Sequence, residues 1–200
     1  AAPSPTSPEE ITYTVLASSD LAAGTLDVEI SIGGGFWTFK LAKDGTGGGD
    51  TGGGTASPLE GSWSLSPVAA ALGVGPASGD VSWWSNSEAD VTTRACLFDD
   101  EYVFNADGTF SNVLGADTWL ETWQGVAEDG CGAALYPHDG TGAATWAYDE
   151  TAGTITLSGL GAYLGLSKAY NDGEHAAPSP TSPEEITYTV LASSDLAAGT

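Results

Sequence analysis

The sequence predicts an all-β protein: an antiparallel, jelly-roll-like β-sandwich that is repeated in tandem with a 175-residue period. Its short apolar segments are rich in β-branched and aromatic residues, and several of them alternate with polar residues. Turns that contain glycine separate these segments. The last 25 residues of the chain also repeat the first 25, letter for letter.

The repeat sets the size of the structural unit. Residues 1–25 and 176–200 are identical, so the offset is 176 − 1 = 175 positions. Solenoid repeats are about 20–50 residues long, so this period indicates a whole domain in each unit. The alternative is an artificial overlap of the two ends. We prefer a period that continues in both directions, which makes identical units head-to-tail partners of one another.

Three strands are predicted in the first 43 residues, at residues 11–17, 25–32 and 36–41. The third reads FWTFKL, an alternation of aromatic or apolar residues with polar ones. One face of such a strand is buried. Trp37 in this segment, and Trp63 in the next apolar segment, are therefore assigned to the core.

Two β-hairpins are predicted in the second half of the chain. Residues 101–105 and 109–114 flank an Asp-Gly turn, in which Gly108 supplies the positive φ that such turns require. Residues 143–148 and 154–158 flank the second turn. Both pairs are rich in residues that favour strands.

Convincing helices are not predicted. Residues 67–72 (PVAAAL) could form a single helical turn. Trp119 and Trp123 are four positions apart, which would suit a short helix. Their threonine-rich surroundings, and glycines at 115 and 125, instead favour a strand with both indoles on one face.

Two kinds of segment have the composition of linkers. Residues 44–57 are rich in glycine and threonine and are expected to be flexible. Residues 2–8, repeated at 177–183, are rich in proline and are expected to be extended. We place the domain boundary in the glycine-rich run, so the proline-rich piece becomes a surface loop. Its candidate O-glycosylation sites are Ser4, Thr6, Ser7, Ser179, Thr181 and Ser182.

This boundary divides the chain into three parts. Residues 1–43 are the closing strands of one unit, residues 44–57 are the linker, and residues 58–200 are the next unit, incomplete at its C-terminal end. The missing strands come from the continuing polypeptide, or residues 1–43 fold back to complete the sheet. Because unpaired sheet edges are sticky, strand donation between units is a further hypothesis.

The composition excludes two classes of partner. Four basic residues stand against 27 acidic ones, for a net charge of −23, so nothing is available to neutralise the phosphates of a nucleic acid. The sequence contains no run of 18 apolar residues, so no membrane span is predicted. The hydrophobic content of 41% is sufficient to bury a core. The charge suits solubility and cation binding at an extracellular site or cell surface.

Cys96 and Cys131 are the two cysteines of the chain, and they lie 131 − 96 = 35 positions apart. An even count in a protein of secreted character predicts a disulfide. A loop of this size would be stabilised by roughly 3–4 kcal/mol. Two free, buried cysteines are the alternative.

Four segments together resemble a β-sandwich repeat domain of secreted, multidomain Bacteroidota surface proteins, a type found beside PKD modules and polysaccharide-degrading enzymes. The resemblance covers most of residues 58–175 and continues into 11–43. It implies an ancillary, non-catalytic role that involves carbohydrate, and a domain that closes with the FWTFKL strand. The segments that carry it are Gly61-Ser62-Trp63, Gly73-Val74-Gly75-Pro76 followed by Trp83-Trp84-Ser85, DDEYVFNADGTF at 99–110, and FWTFKL at 36–41.

Catalysis is the weakest interpretation of the polar residues, and no catalytic residue is assigned. Both histidines, His138 and His175, are predicted to be exposed in loops without an identifiable nucleophile. Calcium is the cofactor that the acidic residues suggest, because it takes six to eight oxygen ligands. The best candidate ligands, weighed against a solvated acidic surface, are Asp99, Asp100, Glu101 and Asp107. In the alternative set, Glu128 and Asp129 take the place of Asp107, brought close by the predicted disulfide.

Exposed tryptophans could bind sugar by stacking. Adjacent residues of a strand point to opposite faces, so one of Trp83 and Trp84 is expected to be exposed. The candidate stacking residues are Trp83, Trp84, Trp119 and Trp123, with Trp146 as a further candidate. A row of exposed rings in a groove would favour glycan binding, whereas buried rings would favour a passive structural role.

The sequence therefore predicts a non-catalytic structural subunit of an extracellular or cell-surface filament or stalk, built from identical units. The alternative, from a different functional class, is an array of carbohydrate-binding or adhesive modules that gain avidity from repetition.

Overall fold

Alternating apolar residues build the strands of this protein, whose computed structural model describes residues 10–45 and 57–176. In β2, for example, Leu26, Val28 and Ile30 are buried in alternation. In chain order the described strands are β1 (Glu10–Val15), β2 (Thr25–Ser31), β3 (Phe36–Lys43), β4 (Gly61–Leu65), β5 (Leu72–Gly75), β6 (Trp84–Ser85), β7 (Glu101–Phe104), β8 (Thr109–Val113), β9 (Thr118–Leu120), β10 (Gly130–Gly132), β11 (Ala144–Asp149), β12 (Thr154–Ser158), β13 (Ala169–Tyr170) and β14 (Gly173–Glu174).

Eight of these strands form one closed antiparallel barrel. Around the barrel they follow one another in the order β1, β2, β3, β4, β7, β8, β11 and β12, and β12 pairs with β1 to close the ring. The first half of β3 pairs with β5, which pairs in turn with β6 outside the ring. The predicted all-β, antiparallel class is confirmed. The jelly-roll-like sandwich is not confirmed, because the ladders run continuously around the ring and do not separate into two packed sheets.

Large apolar and aromatic side chains fill the barrel. Tyr13, Phe39, Trp63, Tyr102 and Phe104 are all fully buried or nearly so. They come from β1, β3, β4 and β7. An eight-stranded barrel has an interior just wide enough for side chains to fill. The assignment of Trp63 and Trp37 to the core is confirmed, since 0% and 5% of their surfaces are exposed.

Residues 162–166, here called the plug segment, pack against this core. Tyr163 and Leu164 are buried, and so are most of their neighbours in the segment. Core side chains bind the backbone of the segment: the Leu164 amide donates to the Tyr13 hydroxyl at 2.7 Å, and the Asn112 side-chain amide donates to the Tyr163 carbonyl at 2.9 Å. The plug segment fixes where the following residues, 168–176, leave the barrel.

The three strands predicted in the first 43 residues and both predicted hairpins are confirmed. Strands β1, β2 and β3 lie within one or two residues of the predictions, and β7–β8 and β11–β12 form the two predicted hairpins. Gly108 has φ 83°, as the Asp-Gly turn requires. These agreements follow from local signals, namely alternation and turn residues.

The structure differs from the sequence-based predictions in three places between residues 67 and 124. Two short helices that were not predicted, α1 (Glu88–Thr93) and α2 (Ala95–Phe98), follow β6. Residues 67–72 contain turns and the start of β5, without a helical turn. Trp119 lies in β9, whereas Trp123 lies in a 3₁₀ turn, Thr122–Gln124, so the two do not share a strand. The 3₁₀ turn ends at Gly125 with φ 93°.

The described ends of the glycine-rich segment join neighbouring strands of the barrel. Lys43 in β3 is in register with Trp63 in β4, and the Asp44 amide donates to the Ser62 carbonyl. Residues 10–43 therefore close the barrel that residues 58–176 build. The division into units stays a prediction, and the proposed O-glycosylation sites lie outside the described residues.

The predicted disulfide is present. It joins Cys96 in α2 to Cys131 in β10, with 5.9 Å between the Cα atoms. The bond attaches the helical segment to the β9–β10 hairpin, where Cys131 is in register with Trp119. No helix in the described part of the chain has the length and apolar character that a membrane span requires.

Candidate functional site

A cleft of about 340 Å³ opens where β3, β5 and β6 meet residues 168–174. Its size lies within the range of small-ligand sites, roughly 300–1,000 Å³. Three tryptophans, two basic residues and two glutamates contribute to its lining: Trp37, Trp83, Trp84, Arg94, Lys168, Glu121 and Glu174.

Trp83 forms the exposed wall of the cleft. Its side chain is 57% exposed, although it is a large aromatic residue. The ring lies against Gly35: a Cβ at position 35 would be 2.5 Å from Trp83 Cζ3 and 2.7 Å from the Gly75 carbonyl oxygen. The Trp83 amide also donates to the Val74 carbonyl at 3.1 Å. A residue without a side chain at 35 is therefore what allows the indole to lie against the sheet.

Trp84 and Trp37 form the inner part of the cleft. Their rings meet edge to face, with centroids 6.1 Å apart. Trp37 is almost fully buried, and its indole N–H donates to Glu174 Oε1 at 2.8 Å. The ring orientation of Trp37 is thus set by packing on one side and by a hydrogen bond to β14 on the other.

Arg94 lies between two aromatic rings at one end of the cleft. Its guanidinium carbon is 4.5 Å from the centroid of Trp119 and 5.2 Å from that of Trp84. The residue follows α1, a helix that begins with a reciprocal capping box between Ser87 and Asp90. Cys96, two residues later, is held by the disulfide. These features fix a planar cation against indole faces, an arrangement that favours arginine over lysine.

Lys168 occupies the other end of the cleft. Its Nζ lies 4.7 Å from the Trp37 ring centroid, 3.6 Å from Glu121 and 3.7 Å from Glu174. Glu121 accepts a further hydrogen bond from the Trp123 indole at 3.1 Å. Two basic and two acidic side chains thus line the cleft, so its formal charge is balanced in a chain whose net charge is −23.

This arrangement suits a ligand with both apolar faces and hydroxyl groups. Indole faces bind apolar C–H surfaces, and edge-on tryptophans add a polar N–H. Arginine and lysine donate hydrogen bonds, and carboxylates accept them. Because these groups are already held by one another, little side-chain entropy would be lost when a ligand binds.

The four predicted stacking residues have different environments. Trp83 and Trp84 line the same cleft, although adjacent residues of a strand were expected on opposite faces. Trp83 precedes the first residue of β6, so the alternation of side chains along that strand does not apply to it. Trp119 lies beside the cleft, against Arg94. Trp123 is 5% exposed and stacks on His175, with centroids 4.9 Å apart, so it supports Glu121 rather than facing solvent.

Sequence reasoning missed the other cleft residues. They are Ile32, Trp37, Val74, Arg94, Glu121, Lys168 and Glu174. The available signal was the scarcity of basic residues: four occur in the chain, and three of them lie over tryptophan rings. In so acidic a chain, each basic residue is therefore a candidate ligand contact.

The four predicted calcium ligands are not gathered at one point in the described structure. Asp99 is exposed, whereas Asp100 is buried and accepts a hydrogen bond from the Thr118 hydroxyl at 2.6 Å. Glu101 accepts from Ser62, and Asp107 lies at the far end of β7, in the hairpin turn with Thr109. Among the described residues, the one group of three with metal-ligand spacing contains both cysteines of the disulfide. Calcium binding stays a prediction.

Asp100 is a buried carboxyl group with an unusual proton affinity. Burial raises its pKa to about 7, and the nearby carboxylates of Asp99 and Asp117 act in the same direction. The hydrogen bond from Thr118 opposes them. One of its carboxyl oxygens, Oδ1, is buried without a hydrogen-bond partner among the described residues. Protonation removes the cost of an unpaired buried charge.

The histidines were wrongly predicted to be exposed. His138 is buried against Trp123 and Tyr163, and His175 is half-buried beside it, with 5.7 Å between the imidazole centroids. Burial lowers the pKa of His138 to about 4, assisted by the neighbouring His175. Burial also lowers the pKa of His175. Both rings therefore pack as neutral aromatic groups at neutral pH.

None of the family models, curated proteins and solved structures that were compared with this chain matches it.

Proposed function

We propose that this chain is a non-catalytic, extracellular binding domain whose tryptophan-lined cleft holds a carbohydrate, and that it is displayed in tandem copies. The observation that carries the proposal is the exposed Trp83, which shares one cleft with Trp84, Trp37 and hydrogen-bonding charged groups. The predicted partners include glycans, and the aromatic and charged lining of this cleft supports that proposal.

The chemistry of the cleft favours a sugar over other ligands. A pyranose ring has C–H faces that pack on an indole and hydroxyl groups that need donors and acceptors. A purely apolar ligand would leave Arg94, Lys168 and the glutamates without new partners and partly desolvated, which is unfavourable. A nucleic acid is disfavoured by the net charge of −23.

The charge balance of the cleft favours a neutral sugar. Lys168 is already compensated by Glu121 and Glu174, and Arg94 is held over Trp84 and Trp119. A uronate would approach two glutamates in the cleft as well as the two cations. We therefore expect neutral hexose or pentose chains to bind more tightly than acidic ones.

Tandem display would strengthen a weak site. The 175-residue offset between two identical 25-residue segments supports a repeating array of such domains. Repetition raises avidity without any new contact. The disulfide and the acidic surface support a location outside the cell or at its surface. The resemblance to repeat domains of secreted Bacteroidota surface proteins agrees with an ancillary role.

A structural filament or stalk is the second candidate function. Identical units offer identical interfaces, and contacts that do not close on themselves generate filaments. The observation that favours it is again the identity of residues 1–25 and 176–200. Electron microscopy of the secreted material separates the two cases: regular filaments support the structural role, and separate flexible beads oppose it.

An oligosaccharide array tests the proposed function. Labelled protein is applied to neutral glucans, mannans, xylans and galactans, with polyuronates as acidic comparators. The affinity for each sugar that binds is then measured in solution by titration calorimetry. We expect Trp83→Ala to weaken binding by at least about tenfold. Tyr136→Ala is the matched control, because Tyr136 is 62% exposed and does not line the cleft. An array without neutral-sugar binding, or equal affinity of Trp83→Ala, would contradict the proposal.

A further inference from the structure

Strand β1 occupies a defined slot in the barrel. It pairs along its length with β12, from Glu10 opposite Ser158 to Thr14 opposite Thr154. Its end pairs with β2, where Val15 is opposite Val28. Because these ladders close the ring, the position between β12 and β2 is completed by this one strand.

Side chains outside the ladder also recognise β1. Tyr13 is fully buried, and its hydroxyl accepts a hydrogen bond from the Leu164 amide of the plug segment. The Thr12 backbone is bound through both its amide and its carbonyl by the side chain of Asn171, at 2.9 Å each. The slot therefore selects a particular short sequence, with a tyrosine at its fourth position, in a particular register.

The chain contains that sequence twice. Residues 10–15 read EITYTV, and residues 185–190 read the same. Every side chain that β1 offers to the slot is present in the second copy, with Thr187 and Tyr188 in place of Thr12 and Tyr13. The slot is built by residues of β12, the plug segment, Asn171 and β2, all of which lie outside both copies.

We infer that this slot is an interaction site for a second copy of this chain, in which residues 185–190 of one molecule replace β1 of another. The sequence EITYTV occurs twice in these 200 residues, and the described residues form one slot for it. We expect the second occurrence to insert by main-chain pairing, a mode that many proteins use to recognise a partner strand. The inference does not depend on sugar binding in the cleft.

Head-to-tail assembly follows from this geometry. The molecule that donates residues 185–190 keeps its own slot, which can accept the strand of a third molecule. Such a contact joins two different surfaces and does not close on itself, so it propagates as a linear polymer. Since the donated and the displaced strands have the same sequence, the ladder and side-chain contacts are equal, and concentration decides the extent of exchange.

Cysteine cross-linking between two variant chains tests the inference. Thr12 and Thr156 are in register, and their hydroxyl oxygens are 3.3 Å apart, so cysteines at these positions are close enough to form a disulfide. Full-length Thr156→Cys chains are refolded together with full-length Thr187→Cys chains under mild oxidation. We expect a cross-linked heterodimer on non-reducing electrophoresis, with its bond mapped to positions 156 and 187.

Two controls define the register and the normal occupant of the slot. Thr156→Cys mixed with Thr189→Cys is shifted by two residues and should give several-fold less heterodimer. A single chain with Thr12→Cys and Thr156→Cys should oxidise within the monomer, which shows that β1 fills the slot when exchange does not occur. A mixture without the 156–187 bond, or with equal yields for 187 and 189, would overturn the inference.

Replacing the tyrosine of either copy of EITYTV by alanine should change the yield of heterodimer in opposite directions. Tyr188→Ala on the donor chain removes the buried tyrosine of the incoming strand but leaves its β1 intact, so its own fold is preserved; heterodimer should fall at least tenfold. Tyr13→Ala on the acceptor weakens the resident strand, so heterodimer should rise several-fold. Equal yields from both variants would overturn the inference.

Discussion

The side chain of Asn171 binds both backbone polar groups of Thr12. The Thr12 amide donates to Asn171 Oδ1 at 2.9 Å, and the Asn171 side-chain amide donates to the Thr12 carbonyl at 2.9 Å. Pairing between β1 and β2 extends only over Thr14 and Val15, so the amide group of Asn171 continues the ladder where β2 does not. The relationship fastens β1 to the turn between β13 and β14, 159 positions away.

Replacement of this asparagine should loosen β1. Asn171→Ala removes two hydrogen bonds, each worth about 0.5–1.5 kcal/mol, so we expect the free energy of unfolding to fall by about 1–3 kcal/mol. Asn171→Asp retains an acceptor but loses the donor. Its free energy of unfolding should lie between those of the wild type and Asn171→Ala. Urea unfolding measures the loss, and hydrogen exchange at the Thr12 amide locates it. Unchanged protection of that amide in Asn171→Ala would contradict the assignment.

Gly35 should control the position of Trp83. Gly35→Ala places a Cβ 2.5 Å from the indole and 2.7 Å from a backbone carbonyl, so the ring must move away from the sheet. We expect greater quenching of tryptophan fluorescence by acrylamide and a loss of sugar affinity of about tenfold. Gly34→Ala is the matched control, because its Cβ would meet nothing within 4 Å. Equal behaviour of the two alanine variants would exclude this role.

Arg94 should stabilise the wall of the cleft through its two aromatic contacts. A cation over an aromatic face contributes about 0.5–1 kcal/mol at an exposed site and more where it is desolvated, so Arg94→Ala should lower the free energy of unfolding by about 1–2 kcal/mol. Arg94→Lys keeps the charge but loses the planar contact, and should recover only part of the loss. Full recovery by lysine, measured by urea unfolding, would show that charge alone is involved.

Asp100 and His138 should give opposite contributions to the pH dependence of stability. The folded-state pKa of Asp100 is raised from 3.8 to about 7, so its stabilising contribution is present below pH 3.8 and is lost as the pH rises to about 7. The folded-state pKa of His138 is lowered from 6.5 to about 4, so its contribution is present above pH 6.5 and is lost as the pH falls to about 4.

Single substitutions should separate these two effects. In Asp100→Asn the loss of stability between pH 3.8 and about pH 7 disappears. The free energy of unfolding should therefore rise more steeply from pH 4 to pH 7 than in the wild type. In His138→Gln the loss on the acid side is reduced, so stability should rise less steeply or fall. Urea unfolding at pH 4, 5.5 and 7 measures both slopes. An Asp100→Asn profile parallel to that of the wild type would contradict the raised pKa.

The sequence predicted those parts of the fold that depend on neighbouring residues. Alternation along β2 and β3, and the Asp107-Gly108 turn between β7 and β8, are local signals, and the structure confirms them. The capping box of Ser87 and Asp90 was also local, but it begins a helix of only six residues, too short for apolar periodicity to reveal.

Closure of the barrel depends on pairings that no local pattern specifies. Strand β1 pairs with β12 about 145 positions later, and an alternating strand fits a sandwich as well as a barrel. The cleft was hidden for the same reason. Trp83 and Trp84 could be nominated as exposed aromatics, whereas Lys168 and Glu174 reach the cleft only because the plug segment directs the chain back past β3.

The measurement that tests the central proposal most directly is an NMR titration of the seven tryptophan indole groups with a neutral oligosaccharide from the array. Seven indole N–H signals are expected, one for each tryptophan. We predict that the signals of Trp37, Trp83 and Trp84 shift on binding, while those of Trp63 and Trp146, which do not line the cleft, stay in place. Shifts centred on Trp146, or no shift at a concentration that saturates the array signal, would contradict the cleft as the binding site.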